Sequence, residues 1–282
     1  MRSTELLLTV PILLSTACGG RTPLDHIPRG IGGTIPFVGA ATGGTTGTSH
    51  SAGSDGGGLA ATGGISGKCL AGTTWDLAHD LLASVTYSPA NPFPDSYAHP
   101  EVWHMMFSTG LADDPATYHD IPNDTLELDT ACGLPVPGYS SWLYEPNTTT
   151  TAQAGINTSS NVIKGVVCAP GQALPPLKAF VHPGSSNLVV IAWQSPISST
   201  VTVTGRFADD DCGGGNGIAW NVDLASDGHL VSMDLGAYTN CGQSSMQFSA
   251  TVAVGDYLYF IVNPNGDYGF DLTEIDVAIT CN

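Results

Sequence analysis

The chain has 282 residues, enough for about two average domains or one large β domain with accessories. Its charge is lopsided, with 25 Asp and Glu against 7 Lys and Arg for a formal −18, while 35 Gly and 19 Pro argue against a helical bundle. Phosphate recognition needs clustered Lys and Arg that release counterions, so nucleic acid is excluded as a partner and anionic lipid headgroups are disfavoured.

Residues 1–17 begin with Arg2, continue through a Leu-rich run from Leu6 to Leu14, and end in Ser15-Thr16-Ala17 before Cys18. Spanning a bilayer takes about 20 apolar residues, so this short run reads as a secretory signal peptide. Small residues directly before Cys18 resemble the lipobox of bacterial lipoproteins, which implies that Cys18 is acylated and becomes the new N-terminus. Gly19-Gly20-Arg21-Thr22-Pro23-Leu24-Asp25 is similar to lipoproteins of myxobacteria. An ordinary signal-peptidase cut after Ala17 is the alternative. Cysteine parity favours the lipid: of seven Cys, six remain once Cys18 is spent.

Residues 18–67 follow as a Gly/Thr/Ser-rich linker whose composition cannot bury enough surface to offset ordering entropy, which predicts a disordered tether. The composition becomes globular near residue 68, which sets the expected domain at 68–282. Only Lys164, Lys178 and Arg206 are basic beyond Cys69. Trp75–Ala83 is the nearest approach to a helix, and it is short. Nine prolines between Pro89 and Pro146 preclude long central strands there, so 69–160 reads as the first strands and long loops of one sandwich.

Six segments then read as strands: 187–195, 200–207, 218–224, 246–254, 257–262 and 271–280. Each is rich in β-branched and aromatic residues and bounded by turn formers. The expectation is an all-β fold, an antiparallel jelly-roll-like β-sandwich with long N-terminal loops. Cys69 and Cys281 stand at the two ends and are expected to bridge, with Cys212–Cys241 and Cys132–Cys168 as the other disulfides. No C-x-x-C pair supports a zinc site.

The segments His182-Pro183-Gly184, Ala192-Trp193-Gln194-Ser195-Pro196, Val203-Thr204-Gly205-Arg206-Phe207, Asp209–Asp211, Gly217–Val222, Gly255-Asp256 and Phe260-Ile261-Val262 form a pattern. It closes with Asp271-Leu272-Thr273-Glu274 and Ile275–Ile279, and Trp75-Asp76-Leu77 fits its opening. The pattern resembles a carbohydrate-binding-module-like β-sandwich of secreted bacterial proteins. That resemblance implies a jelly-roll sandwich, and it does not itself imply a ligand.

Two loops are candidate sites. Tyr139, Trp142 and Tyr144 place three rings within eight residues and could present a shelf on which sugar rings stack; packing under a loop is the alternative. Asp209, Asp210, Asp211 and Asn216 make an oxygen-rich run suited to a structural calcium ion, or to an ordinary turn. His99, His104 and His119 lie near Glu101, Asp113 and Asp120, but their spacing matches no metal-ligand signature. Neither G-x-S-x-G nor H-E-x-x-H is present, so a catalytic role is not indicated.

These features together predict an exported, lipid-anchored, non-catalytic module of the cell envelope that binds a polysaccharide or cell-surface glycan. Its contact with the membrane would be through the lipid anchor only. The alternatives are a structural or adhesive envelope protein without a small ligand and, behind it, a glycan hydrolase.

Overall fold

The computed structural model describes residues 69–131, 134–144, 152–166 and 169–282. The segments expected to be a signal peptide and linker, with Cys18, Cys132 and Cys168, lie outside the described residues. Among the described residues no helix is long and apolar enough to cross a membrane.

Strand β1 (Thr74–Asp76) leads into helix α1 (Leu77–Tyr87). Asp76 caps that helix by accepting the His79 N–H at 2.9 Å, and Leu77, Leu81 and Val85, spaced four apart, line its buried face. The chain continues through β2 (Trp103–Ser108), β3 (Tyr118–Asp120), β4 (Leu126–Glu127), β5 (Thr130–Ala131) and β6 (Leu134–Pro135). Next come β7 (Tyr139–Tyr144), β8 (Ala152–Asn157), β9 (Ile163–Val166), β10 (Ala169–Leu174), β11 (Ala179–His182) and β12 (Val189–Gln194). The last strands are β13 (Ser199–Asp209), β14 (Ala219–Ser226), β15 (His229–Ala237), β16 (Gln243–Val252), β17 (Tyr257–Asn263) and β18 (Thr273–Cys281).

The fold is an all-β antiparallel sandwich. One sheet has the order β16-β13-β18-β11-β8-β7-β4, with β1 also paired to β18; the other runs β15-β14-β17-β12-β2-β3. From β11 onward the chain passes repeatedly between them, as in a jelly roll: β12 lies in the second sheet, β13 in the first, β14 and β15 in the second, β16 in the first, β17 in the second and β18 in the first. The β14–β15 hairpin turns at Asp227-Gly228, where φ is 50° and 76°. Positive φ at both positions suits an Asp-Gly turn whose twist matches its strands.

The core lies between the sheets. Val201, Val203 and Phe207 of β13 and Ile275, Val277 and Ile279 of β18 face Val189, Ile191 and Trp193 of β12 and Leu258, Phe260 and Val262 of β17. Phe207 stacks on Trp220 at 4.8 Å, and Trp75 meets Trp193 edge-on at 5.5 Å. All five tryptophans of the sequence are buried. Cys69 is bonded to Cys281 with Cα atoms 6.2 Å apart, and Cys212 to Cys241 with Cα atoms 4.9 Å apart.

The Pro-rich opening is ordered by side chains that substitute for ladder bonds. Asn91 donates from Nδ2 to Met105 O and Ile121 O and accepts the Met105 N–H. The Trp75 indole donates to Asp95 at 2.6 Å, and the Trp103 indole to Asp80 at 3.0 Å. Buried acids are thereby satisfied by neutral donors.

Replacing Phe260, wholly buried between the sheets, by Ala is expected to cost about 3–5 kcal/mol. Urea unfolding should show this as a lower midpoint at an unchanged slope.

Candidate functional site

Strand periodicity decides the fate of the first candidate site. Tyr139 and Trp142 are three apart on β7, so they point to opposite faces of the sheet. Tyr139 packs outward against Phe180 at 4.7 Å. Trp142 is 0% exposed in the core between the sheets, and Tyr144 stacks on Phe107 at 3.4 Å. No shelf forms, and the expectation that these three rings present a sugar platform is corrected. Trp103 and Tyr238 are buried too.

The acidic run is divided in a similar way. Asp209 uses its carboxylate on the N–H groups of Asp211 and Cys241, and Asn216 donates to Asn265 O in a turn. Asp210 and Asp211 are buried. Among the described residues no group of three His, Cys, Asp or Glu side chains is placed to hold a metal, so the calcium expectation at Asp209, Asp210, Asp211 and Asn216 gains no support from this arrangement. The three histidines also separate. His99 holds Asp95, His104 holds Asp120, and His119 lies against Phe107.

A different surface brings polar and aromatic groups together: the outer face of the sheet containing β12 and β17. Cross-strand register places Ser232, Asp223, Tyr259, Ala192 and His104 in one row across five strands. Adjacent rows contribute Tyr257 beside Gln194, and Asn221 beside Ile261. Tyr257 and Tyr259, two apart on β17, share this face, and their rings lie parallel within 2° at 5.4 Å. His104 meets Tyr257 edge-on at 5.6 Å, and Tyr118 meets Tyr259 edge-on at 5.2 Å. Val190, Ala192 and Ile261 form the apolar floor.

Polar groups surround the rings. The His104 Nδ1 lies 2.9 Å from Asp120 Oδ1, while its buried Nε2 has no partner. On the other side of Tyr259, Asp223 is 3% exposed and its Oδ1 has no partner. The exposed Asp113 reaches over from the β2–β3 connection, accepting Asn221 Nδ2 at 2.6 Å and the Tyr118 hydroxyl. Burial, and after it the neighbouring Asp113 carboxylate, pushes Asp223 up to about 6. Burial likewise pushes the Tyr259 hydroxyl up to about 12. Tyr257 is only partly buried and gives the face an open aromatic edge.

The sequence carried a signal for this face that loop-centred reasoning missed. Tyr257-Leu258-Tyr259 sets two rings on one side of a strand, and period two makes that legible without a structure.

No family model matches the chain, and no curated protein matches it. Similar solved structures include the C-terminal CBM6 of LamC, a marine laminarinase from Zobellia galactanivorans, with 15% identity over 36% of this chain and 79% of that one (TM-score 0.23). CBM51 from Clostridium perfringens GH95 in complex with methyl-galactose has 16% identity over 55% and 87% (TM-score 0.28). Murine APRIL scores alike, with 6% identity over 63% and 98% (TM-score 0.26). At such scores these likenesses carry no argument about what the chain binds.

Asp210 and Asp271 generate a pH prediction. Burial, reinforced by Glu274 and Asp209 at Asp210 and by Asp267 and Asp209 at Asp271, pushes both up to about 8. The folded chain therefore keeps protons that the unfolded chain has already released, and stability falls as pH rises toward 8. The melting temperature is expected to fall between about pH 5 and 8 and to level off above that, and Asp271→Asn should flatten that slope in a calorimetric pH series.

Proposed function

We propose that the outer face of the β12–β17 sheet binds a polysaccharide or cell-surface glycan without altering it chemically. The observation that carries this reading is the half-buried ring of Tyr257 at the open edge of the face, backed by the stacked and buried Tyr259, with unpartnered His104 Nε2 and Asp223 Oδ1 on either side. Apolar faces of pyranose rings pack on aromatic rings, while hydroxyls need buried donors and acceptors that the fold leaves free. Asp113 and Asp223 abut one another, which does not suit hydrolysis; glycosidase carboxyls stand about 5 Å or more apart across the scissile bond. Export and an acylated Cys18 belong to the same proposal on sequence grounds, and would hold the module at the cell envelope.

A second reading, a structural or adhesive protein without a small ligand, is favoured by another surface. The edge strand β15 exposes Leu230, Val231 and Leu235, the last at 71%. Affinity electrophoresis of the chain through a panel of soluble polysaccharides separates the two. The glycan reading expects retardation by at least one polysaccharide, weakened about tenfold by Tyr257→Ala and unchanged by alanine at the remote, exposed Tyr87. Unaltered mobility throughout the panel would leave only the structural reading.

A further inference from the structure

No lysine or arginine among the described residues meets the carboxylates beside the tyrosines. Among the described residues Lys178 and Arg206 contact Glu274 and Asp276 in the other sheet, and Lys164 lies in β9, within a separate two-stranded sheet. Asp113 and Asp223 are therefore left as an acid pair whose donors are uncharged: the Asn221 amide and Tyr118 hydroxyl on Asp113, with Asn221 and Ser232 beside Asp223. Two abutting carboxylates repel, and a buried carboxylate oxygen without a partner is costly. The rings of Tyr118 and Tyr259 stand beside this pair, and aromatic faces attract cations as carboxylates do.

The other charged groups of the face extend the pattern. Asp120 is exposed beside His104, and Glu101 acts on Tyr257. No lysine or arginine lies on the described strands of this sheet. A polyuronate or sulfated glycan would bring negative charge to a negative face. An ammonium group would find the exposed Asp113 carboxylate, with the buried Asp223 carboxylate and the rings of Tyr118 and Tyr259 directly behind it.

We infer that the glycan bound on this face carries primary ammonium groups: a polysaccharide of amino sugars without N-acetyl groups, its ammonium held on the exposed Asp113 in front of the buried Asp223, with the sugar ring against the half-buried Tyr257. This rests on the glycan reading above and adds the class of sugar. N-acetylation removes the charge and adds bulk at the one atom that the acid pair would hold. The same residues would then discriminate between the two forms of one polymer.

The test is calorimetric titration of the full chain with three probes at pH 6.5: a glucosamine oligosaccharide, its N-acetylated counterpart and a galacturonate oligosaccharide. The expected result is binding about tenfold tighter for the free amine than for the acetylated sugar, with no binding of the uronate. Asp223→Asn, which keeps the side chain's shape, should reduce that preference to about threefold or less. Asp227→Asn, an equal charge change in the β14–β15 turn, should leave it intact. Equal or tighter binding of the acetylated sugar would overturn the inference and leave the glycan reading standing. A preference for the amine that Asp223→Asn does not reduce would also overturn it, as general attraction to an acidic chain. Binding of the uronate alone would overturn it as well, and no binding of any of the three, together with unaltered mobility in the polysaccharide panel, would remove both.

Discussion

Burial of β12 and β17 on both faces is the constraint from which the rest of the molecule follows. Their inner residues Val189, Ile191, Trp193, Leu258, Phe260 and Val262 close the core against the opposite sheet. Their outer residues Val190, Ala192, Tyr259 and Ile261 are also buried, so a second apolar layer lies outside the sandwich. A sheet with one wet face would show polar residues at those positions. Here the outer layer is closed by Tyr118, Tyr257, Met106 and the connection that carries Asp113. Polar groups brought along with that layer lose water, and those that find no partner become available to a ligand.

A shortage of cations shapes how the chain handles its acids. With Lys178 and Arg206 both spent at Glu274 and Asp276, other buried carboxylates rely on neutral donors or on protons. Asp95 and Asp80 take indole and backbone N–H groups, which anchor the opening segment to the core. Asp210 and Asp271 have orphan oxygens and hold their protons up to about 8. Asp223 is of the second kind, but it sits beside aromatic rings and a solvent-exposed acid. The same physics that makes Asp271 a pH-sensitive structural acid underlies the part proposed for Asp223 beside the ligand.

The fold was legible because strand signals are local. The six runs between 187 and 280 correspond to β12, β13, β14, β16, β17 and β18, and the short helical pattern at Trp75–Ala83 falls on α1. Strand β15 was harder: Leu230, Val231 and Leu235 are exposed on an edge, and no alternation marks it. The site was less legible because exposure is not local. Pro137–Tyr144 looked like a loop rich in rings, yet pairing with β8 turns Trp142 inward and Tyr139 outward. Asp209–Asp211 looked like a shared ligand set, yet backbone N–H groups had claimed Asp209. In both cases proximity along the chain stood in for proximity in space.

Rigidity gives a reason for such a site to lie on a sheet rather than on loops. Asp223, Tyr259, Ala192 and His104 are fixed by ladder hydrogen bonds at neighbouring positions of four strands, so their spacing is set by the sheet and not by loop conformation. Ordering a loop around a sugar would subtract from the binding energy, whereas a preformed row does not incur that cost. The small side chain of Ala192 matters in this arrangement: it lies between Tyr259 and His104 in the row, and a larger residue there would compete with the rings for the same space. The one member of the acid pair on a connection, Asp113, is tied by Asn221 and Tyr118 to that same sheet. The recognition proposed for this face therefore depends on strand register, and a register shift of one residue would turn both tyrosines into the core.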